Sequence, residues 1–329
     1  MNTTKILVTG CCGFIGFHLV KKLLKNPNYF ILGVDSLNNY YSIKLKKRRL
    51  NILKKKKNFI FFKKDLSSLK FCKKLFKKNK IDIIFHIGGQ AGVLYSFKNP
   101  KSYLKNNIIA TKNLIVSINQ GYNQIKKFIF CSSSSVYGDQ KKFPLTENML
   151  LNPLNPYALS KKKCEDMILS KLRINNNLKD FAIFRLFTVF GPYGRPDMFL
   201  IKLLLSFYKK KIINIYNFGN YFRDFTYIDD VIKIFILSLK KKTKGNIFNI
   251  CSSSPIKIID FFKIIKSILK KDIKVKLLPK RYGEVIKTHG SNKKLFTFFK
   301  IKKFSPIQKS LQQSITWFKS YKNKNELIV

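Results

Sequence analysis

Val8-Thr9-Gly10-Cys11-Cys12-Gly13-Phe14-Ile15-Gly16 stands near the start of a 329-residue chain, and a second apolar run, ending Ile31-Leu32-Gly33-Val34, leads to Asp35. The pairing reads as a strand, a glycine turn, a helix and a second strand closed by a carboxylate. Gly10 takes a turn that a residue with a Cβ adopts only at a cost, Gly13 lets the backbone approach a pyrophosphate, and Gly16 lets the helix lie close on the sheet. The helix N-terminus then faces the phosphates. A carboxylate at Asp35 accepts hydrogen bonds from both hydroxyls of an adenosine ribose and repels a 2′-phosphate, so the cofactor implied is NAD rather than NADP. Three spaced glycines also describe an ordinary tight turn; the strand-turn-helix-strand-Asp context is what specifies a dinucleotide.

Outward from this unit, apolar runs recur at Phe59-Ile60-Phe61-Phe62, Ile81-Asp82-Ile83-Ile84-Phe85-His86, Phe128-Ile129-Phe130-Cys131 and Phe181-Ala182-Ile183-Phe184-Arg185. Each is short, rich in β-branched or aromatic residues, and separated from the next by a helical length of chain. That alternation predicts an α/β fold, a Rossmann-like doubly wound parallel sheet whose strands are buried on both faces. From about Gly191 the character changes, with Pro192, Gly194 and Pro196 marking a loop and Pro255, Pro279 and Pro306 interrupting later segments. The organisation expected is an NAD-binding domain over 1–190 with returning segments near 225–252, and a smaller, discontinuous, mainly substrate-binding domain over 191–329. Ile247-Phe248-Asn249-Ile250 reads as a strand rejoining the first domain.

Composition excludes several classes. With 45% hydrophobic residues the chain can bury a large core and is not disordered. A formal net charge of +50 ordinarily points to nucleic acid or an anionic membrane. Here the excess is lysine spread along the whole chain, inflated together with Asn, Ile and Phe as in AT-rich coding, so it reads as a solvated surface and no nucleic-acid partner is expected. Cys11, Cys12, Cys72, Cys131, Cys164 and Cys251 show neither a paired framework nor metal-ligand spacing, which fits a reducing cytoplasm and no metal. The run Ile6 to Val20 carries three glycines and His18 and belongs to the fold rather than to a signal sequence. Nowhere else do roughly eighteen uncharged apolar residues run together, so no membrane partner is expected.

Tyr157-Ala158-Leu159-Ser160-Lys161 puts a phenol and an ammonium on one face of a helix opening after Asn155-Pro156. A phenol ordinarily titrates near pH ~10, and a cation close by favours its ionised form, which suits proton abstraction from a sugar hydroxyl. Such a pair is common by chance. Its position matters, because it follows a strand ending Phe130-Cys131 and the cluster Ser132-Ser133-Ser134-Ser135-Val136-Tyr137-Gly138, where a parallel strand reaches its ligand-binding carboxyl end. A serine there can pass on a proton beside Tyr157. His86 reads as a packed or hydrogen-bonded residue, and His289 has no evident partner.

These residues carry a resemblance. The spacing G-x-x-G-x-x-G, the Tyr-Lys pair and the serine cluster resemble the extended short-chain dehydrogenase/reductases, the NAD-dependent epimerase/dehydratase family. Asp35-Ser36-Leu37-Asn38-Asn39-Tyr40-Tyr41, Gln90-Ala91-Gly92-Val93-Leu94-Tyr95-Ser96, Phe187-Thr188-Val189-Phe190-Gly191-Pro192-Tyr193-Gly194-Arg195-Pro196-Asp197-Met198 and Arg223-Asp224-Phe225-Thr226-Tyr227-Ile228-Asp229-Asp230 are most similar to the UDP-glucuronate 4-epimerases. The resemblance implies an epimerase that inverts carbon 4 of UDP-glucuronate, giving UDP-galacturonate, through a transient 4-keto sugar. It implies that Tyr157, Lys161 and Ser133 are catalytic and that Gly10, Gly13, Phe14, Ile15, Gly16, Asp35, Asp65 and Leu66 bind NAD together with Tyr157 and Lys161. Thr188 and Arg195 are implied near the sugar carboxylate, Ser133 also touches substrate, and Arg223 approaches the uridine diphosphate. A homodimer through a helix bundle is implied as well. Arginine is scarce in this lysine-rich chain, and its presence at 195 suits planar, bidentate recognition that a point charge cannot supply.

The chain departs from the family's pattern at Ser36, at Gly88-Gly89, at Glu284 and at Leu94, where the family carries Arg. Rival readings are a UDP-glucose 4-epimerase and a 4,6-dehydratase or decarboxylase of the same family. A dehydratase uses an Asp-Glu pair where Ser134-Ser135 stand, and an epimerase must pin a carboxylate that a decarboxylase leaves free. A non-catalytic NAD-sensing or nucleic-acid-binding protein on this scaffold commonly lacks the Tyr-Lys pair kept here.

Overall fold

The computed structural model describes residues 3–174, 176–272, 274–281 and 283–327. Six strands, β1 (Thr4–Thr9), β2 (Tyr29–Asp35), β3 (Phe59–Lys63), β4 (Ile83–His86), β5 (Lys127–Ser133) and β6 (Phe181–Leu186), lie in one parallel sheet. The strand Ile247–Ile250 pairs parallel with β6 at its edge. Across the seven strands the order is Ile247–Ile250, β6, β5, β4, β1, β2, β3, so the winding reverses between β1 and β4. β5 and β6 are buried at every position, as expected of strands covered by helices on both faces.

Several strand limits differ from the apolar runs by a residue or two, and two of these differences have a visible cause. β4 begins at Ile83 because the Asp82 carboxylate accepts from the Lys5 backbone N–H at 2.9 Å and pairs with Lys126 at 3.0 Å, which fixes the entry to the strand. β5 runs on through Ser132 and Ser133, and only Ser134–Tyr137 form a 3-10 turn.

Beyond β6 the chain builds small sheets: Thr188–Phe190 pairs parallel with Phe225–Tyr227, Ile213–Tyr216 with Val275–Leu278, and Phe222–Arg223 antiparallel with Ile256–Lys257. One apolar cluster runs from Phe14 and Phe17 beneath the sheet through Phe184 and Phe248 to Phe299 and Phe318 in the C-terminal helices. Burial of these aromatic side chains, each contributing roughly 2–3 kcal/mol on transfer from water, ties the C-terminal layer to the sheet. No helix among the described residues is long and apolar enough to cross a membrane.

Candidate active site

A cavity of about 350 Å³ opens at the carboxyl ends of the strands, across the reversal between β1 and β4. Its first wall is the glycine turn. Gly10 has φ +66°, and a Cβ there would meet the Gly88 Cα at 2.7 Å, so the loops after β1 and β4 touch backbone to backbone. A Cβ on Gly16 would lie 2.1 Å from the Gly10 carbonyl oxygen; its missing side chain closes the helix onto the turn itself. The helix α1 (Phe14–Leu23) starts with no side-chain cap and no acidic residue in its first turn. Its leading N–H groups and positive dipole end are therefore suited to an anionic ligand.

Asp35 lines the cavity, and its oxygens already accept backbone N–H groups, Oδ2 from Cys12 at 3.0 Å and Oδ1 from Leu37 at 2.8 Å. Each carboxylate oxygen keeps a second acceptor site, so Asp35 shapes the turn and still offers itself to ribose hydroxyls. Asp65 and Leu66 line the same end; Asp65 pairs with Lys105 at 3.0 Å. An uncapped helix start, a free acceptor and this 65–66 wall fit an adenine dinucleotide. Cys11, Cys12 and Asp35 place potential ligand atoms within 4.8 Å of one another. Both thiols are fully buried, and burial holds that of Cys11 well above its ordinary pKa, which disfavours the thiolate that a metal would need there.

The second wall comes from the helix Pro156–Leu172, capped by Asn155, whose Oδ1 accepts from the Ala158 N–H at 2.9 Å. Its successive turns present Tyr157, Lys161 and Glu165. Tyr157 and Lys161 line the cavity together with Ser133. The buried Lys161 ammonium donates to the Cys131 carbonyl at 2.7 Å and lies 4.8 Å over the Phe130 ring. One turn later Glu165 accepts from the Ser132 hydroxyl and forms a buried ion pair with Arg185 on β6 at 2.7 Å. Arg185 continues to the Tyr137 hydroxyl at 3.0 Å. The helix is thus stapled to consecutive residues of β5 just before Ser133, whose Oγ accepts from the Ser135 N–H at 3.2 Å.

The third wall carries Thr188, Arg195 and Met198. Arg195 is engaged by Asp197 through Nε at 3.0 Å and Nη2 at 2.6 Å, and Asp197 also accepts from the Tyr40 hydroxyl at 3.0 Å. Burial works against both charges. The ion pair prevails, holding Asp197 down at about 2 and raising Arg195 further. Arg223 stands outside the residues walling this cavity; its Nη1 donates to the Phe222 and Ile286 carbonyls, and its guanidinium lies 4.8 Å over Tyr221. His86 is buried between the Thr9 and Thr111 hydroxyls at 2.8 and 2.9 Å, while His289 Nδ1 is buried without a partner.

Two residues in and beside the site escaped the sequence reading. Asn107 lies in a π-helical stretch, Leu104–Ile109, where its Oδ1 accepts from the Gln90 N–H at 2.7 Å and its Nδ2 donates to Ser160 at 2.8 Å. It joins the β4 loop to the Tyr-Lys helix, and such π-turns recur at functional sites. Nothing in the local pattern marks it. Lys46, buried beside Asp35, donates to the Asn38 carbonyl at 2.6 Å and amide oxygen at 2.7 Å. Burial pushes it down to about 8, against the pull of Asp35.

A parallel sheet with a glycine turn at its reversal, and a Tyr-Lys pair on the facing wall, defines a dinucleotide-dependent α/β enzyme fold. The sequence pattern of the NAD dependent epimerase/dehydratase family matches residues 6–251, and the chain belongs to that family. It is 38% identical to an uncharacterized protein of Methanocaldococcus jannaschii, covering 100% of this chain and 99% of that one. It is 35% identical to the UDP-glucuronate 4-epimerase of Thermodesulfobacterium geofontis over 95% of each chain. The structure of a UDP-glucuronic acid 4-epimerase from Bacillus cereus, in complex with UDP-glucuronic acid and NAD, superposes with a TM-score of 0.90 at 31% identity, over 96% of this chain and 99% of that one.

Proposed function

We propose that the protein is an NAD-dependent UDP-glucuronate 4-epimerase that yields UDP-galacturonate through a 4-keto sugar. The observation that carries this reading is one cavity walled by the glycine turn, by Tyr157, Lys161 and Ser133, and by Thr188 and Arg195. The similarity to UDP-glucuronate 4-epimerases over nearly the whole chain supports it.

In this reading the glycine turn with Phe14 and Ile15 holds the pyrophosphate, Asp35 the adenosine ribose, and Asp65 with Leu66 the adenine. Bound there, NAD supplies a reversible two-electron acceptor for carbon 4. Tyr157 takes the proton from the 4-hydroxyl and, once the keto sugar has turned over to present its other face, returns it to the C4 oxygen. Lys161, fixed by the Cys131 carbonyl, holds the nicotinamide ribose, and Ser133 completes the proton path. Thr188 and Arg195 hold the sugar carboxylate, and Arg223, outside these walls, meets the uridine diphosphate where it extends beyond them. Residues 1–190 with returns near 225–252 are proposed as the NAD-binding domain and 191–329 as mainly the substrate domain, the outermost residues lying outside those described. A homodimer is proposed, supported by Leu104 and Leu159, exposed at 51% and 44% on helical segments. Cytoplasmic residence is proposed from the six free, buried cysteines.

Two observations favour a second reading, a UDP-glucose 4-epimerase. Asp197 already balances the charge of Arg195, and Leu94 stands where the family carries Arg. One experiment separates the two: incubate the purified protein with UDP-glucuronate and, separately, with UDP-glucose, and identify the nucleotide sugar formed. UDP-galacturonate supports the first proposal, and turnover of UDP-glucose alone promotes the second. The cofactor extracted from the protein is expected to be NAD; NADP would overturn the role given to Asp35.

A further inference from the structure

Arg195 reaches the cavity with half of its recognition surface already committed. A guanidinium offers two donor edges to a planar acceptor, the side-on pair Nε/Nη2 and the end-on pair Nη1/Nη2. Asp197 occupies the side-on edge with two bonds. Tyr40, reaching across 157 residues of sequence, donates to Oδ2 of that same Asp197 and lies with its ring 5.8 Å from the Arg195 guanidinium. Tyr40 is itself tightly walled, since a Cβ on Gly92 would come within 2.1 Å of its hydroxyl oxygen. The neighbouring Tyr41 accepts from Arg49 Nη1 at 2.7 Å, while Arg49 Nη2 donates to the Tyr193 carbonyl at 2.7 Å. The segment that follows Asp35 is thereby strapped at two adjacent tyrosines to the loop bearing Arg195.

We infer that Tyr40 and Asp197 are positioning residues: they lock Arg195 by its side-on edge, so that only the end-on edge meets the substrate and holds the sugar carboxylate in a fixed plane. This inference rests on the UDP-glucuronate reading proposed above. It explains how a neutralised arginine still recognises a carboxylate, because the recognition is by fork geometry rather than net charge. It also names what the lock prevents. Oxidation at carbon 4 makes the sugar a β-keto acid. When the C5–C6 bond that bears the carboxylate tips out of the plane of the C4 carbonyl, it lies parallel to the carbonyl π orbitals and breaks, its electron pair passing into the C4 carbonyl as an enolate. Carbon dioxide leaves and C5 takes up a proton. The product is a UDP-pentose or its 4-keto form, with or without return of the electron pair taken from carbon 4.

The test compares wild type with Tyr40→Phe, Asp197→Ala and Asp197→Glu, with Arg195→Lys as reference. UDP-galacturonate and the UDP-pentoses formed from UDP-glucuronate are quantified by chromatography, and bound NAD and melting temperature are recorded. Tyr40→Phe is expected to raise the pentose share of the product about tenfold, the scale of one hydrogen bond to a charged group. Asp197→Ala should raise it further and Asp197→Glu partly restore it, with NAD content unchanged. A wild-type product ratio in Tyr40→Phe, or equal losses on UDP-glucose and UDP-glucuronate, overturns the inference; if Asp197→Ala does not fold, Tyr40→Phe decides alone. Should Arg195→Lys also be silent, the carboxylate role of Arg195 fails with it. Should wild type not turn over UDP-glucuronate at all, the proposed function fails, and calorimetry decides the lock separately. The affinity ratio of UDP-glucuronate over UDP-glucose must then fall about tenfold in Tyr40→Phe, and an unchanged ratio overturns the lock.

Discussion

Tyr157 and Lys161 lie one helical turn apart on the same cavity wall, and of the two only the lysine has its place fixed by a strand, through the Cys131 carbonyl. The phenol is steadied by ring contact instead, edge-on to Tyr103 at 6.0 Å. Replacing Tyr157 by Phe keeps that contact and removes only the hydroxyl. Tyr157→Phe is therefore expected to fold and retain NAD while losing turnover by at least about a hundredfold, the contribution of a positioned acid-base group. Near-native turnover in the purified variant, measured with its NAD content, removes Tyr157 from the proton path. At this scale the sequence was informative wherever a residue's place follows from its type and its near neighbours, as in the Gly10 turn, Asp35 at the end of β2 and the Tyr-Lys pair on one cavity wall. It was silent on Asn107 and Lys46, whose roles depend on loops distant in sequence.

The element that carries the Tyr-Lys pair is the helix Pro156–Leu172, stapled to β5 by Lys161 and Glu165 and through Glu165 to Arg185 on β6. Arg185→Met leaves the Glu165 carboxylate buried and unpaired, which costs about 3–5 kcal/mol. Urea unfolding should read that loss, and a Glu165→Leu/Arg185→Met double variant should recover most of it. Recovery failing would mean that the pair organises the fold rather than merely neutralising a buried charge. At the end of β4, burial first and the Lys161 charge second push His86 down to about 3. The unfolded chain binds this proton below about pH 6.5 while the folded one does not, so the stability His86 contributes is present at neutral pH and is lost as pH falls. The stability difference between wild type and His86→Gln should shrink by about 1.4 kcal/mol per pH unit below 6.5. A difference independent of pH between 7.5 and 5 refutes a neutral, buried ring.

For the whole molecule, the exposed Leu159 lies on that same helix, so assembly and catalysis would share one element. The protein is expected to sediment at twice its 38.5 kDa chain mass, and Leu159→Glu to shift it toward monomer. Monomeric wild type at micromolar concentration excludes the proposed dimer. Much of the architecture was readable from sequence alone, because parallel strands covered on both faces must be continuously apolar and must alternate with helices. The glycine turn and the dyad were readable for a related reason: they are set by single-residue conformational freedom and by the 3.6-residue period of one helix. What only the tertiary structure decided is who meets whom across the chain. The Ser132–Glu165–Arg185 chain joins two strands and a helix, Arg223 stands apart from the cavity walls, and Arg195 is held by Asp197 and Tyr40. A buried charge takes whichever partner the packed chain brings within hydrogen-bond reach, and that choice is made by contacts between residues far apart in sequence, where no local pattern carries it.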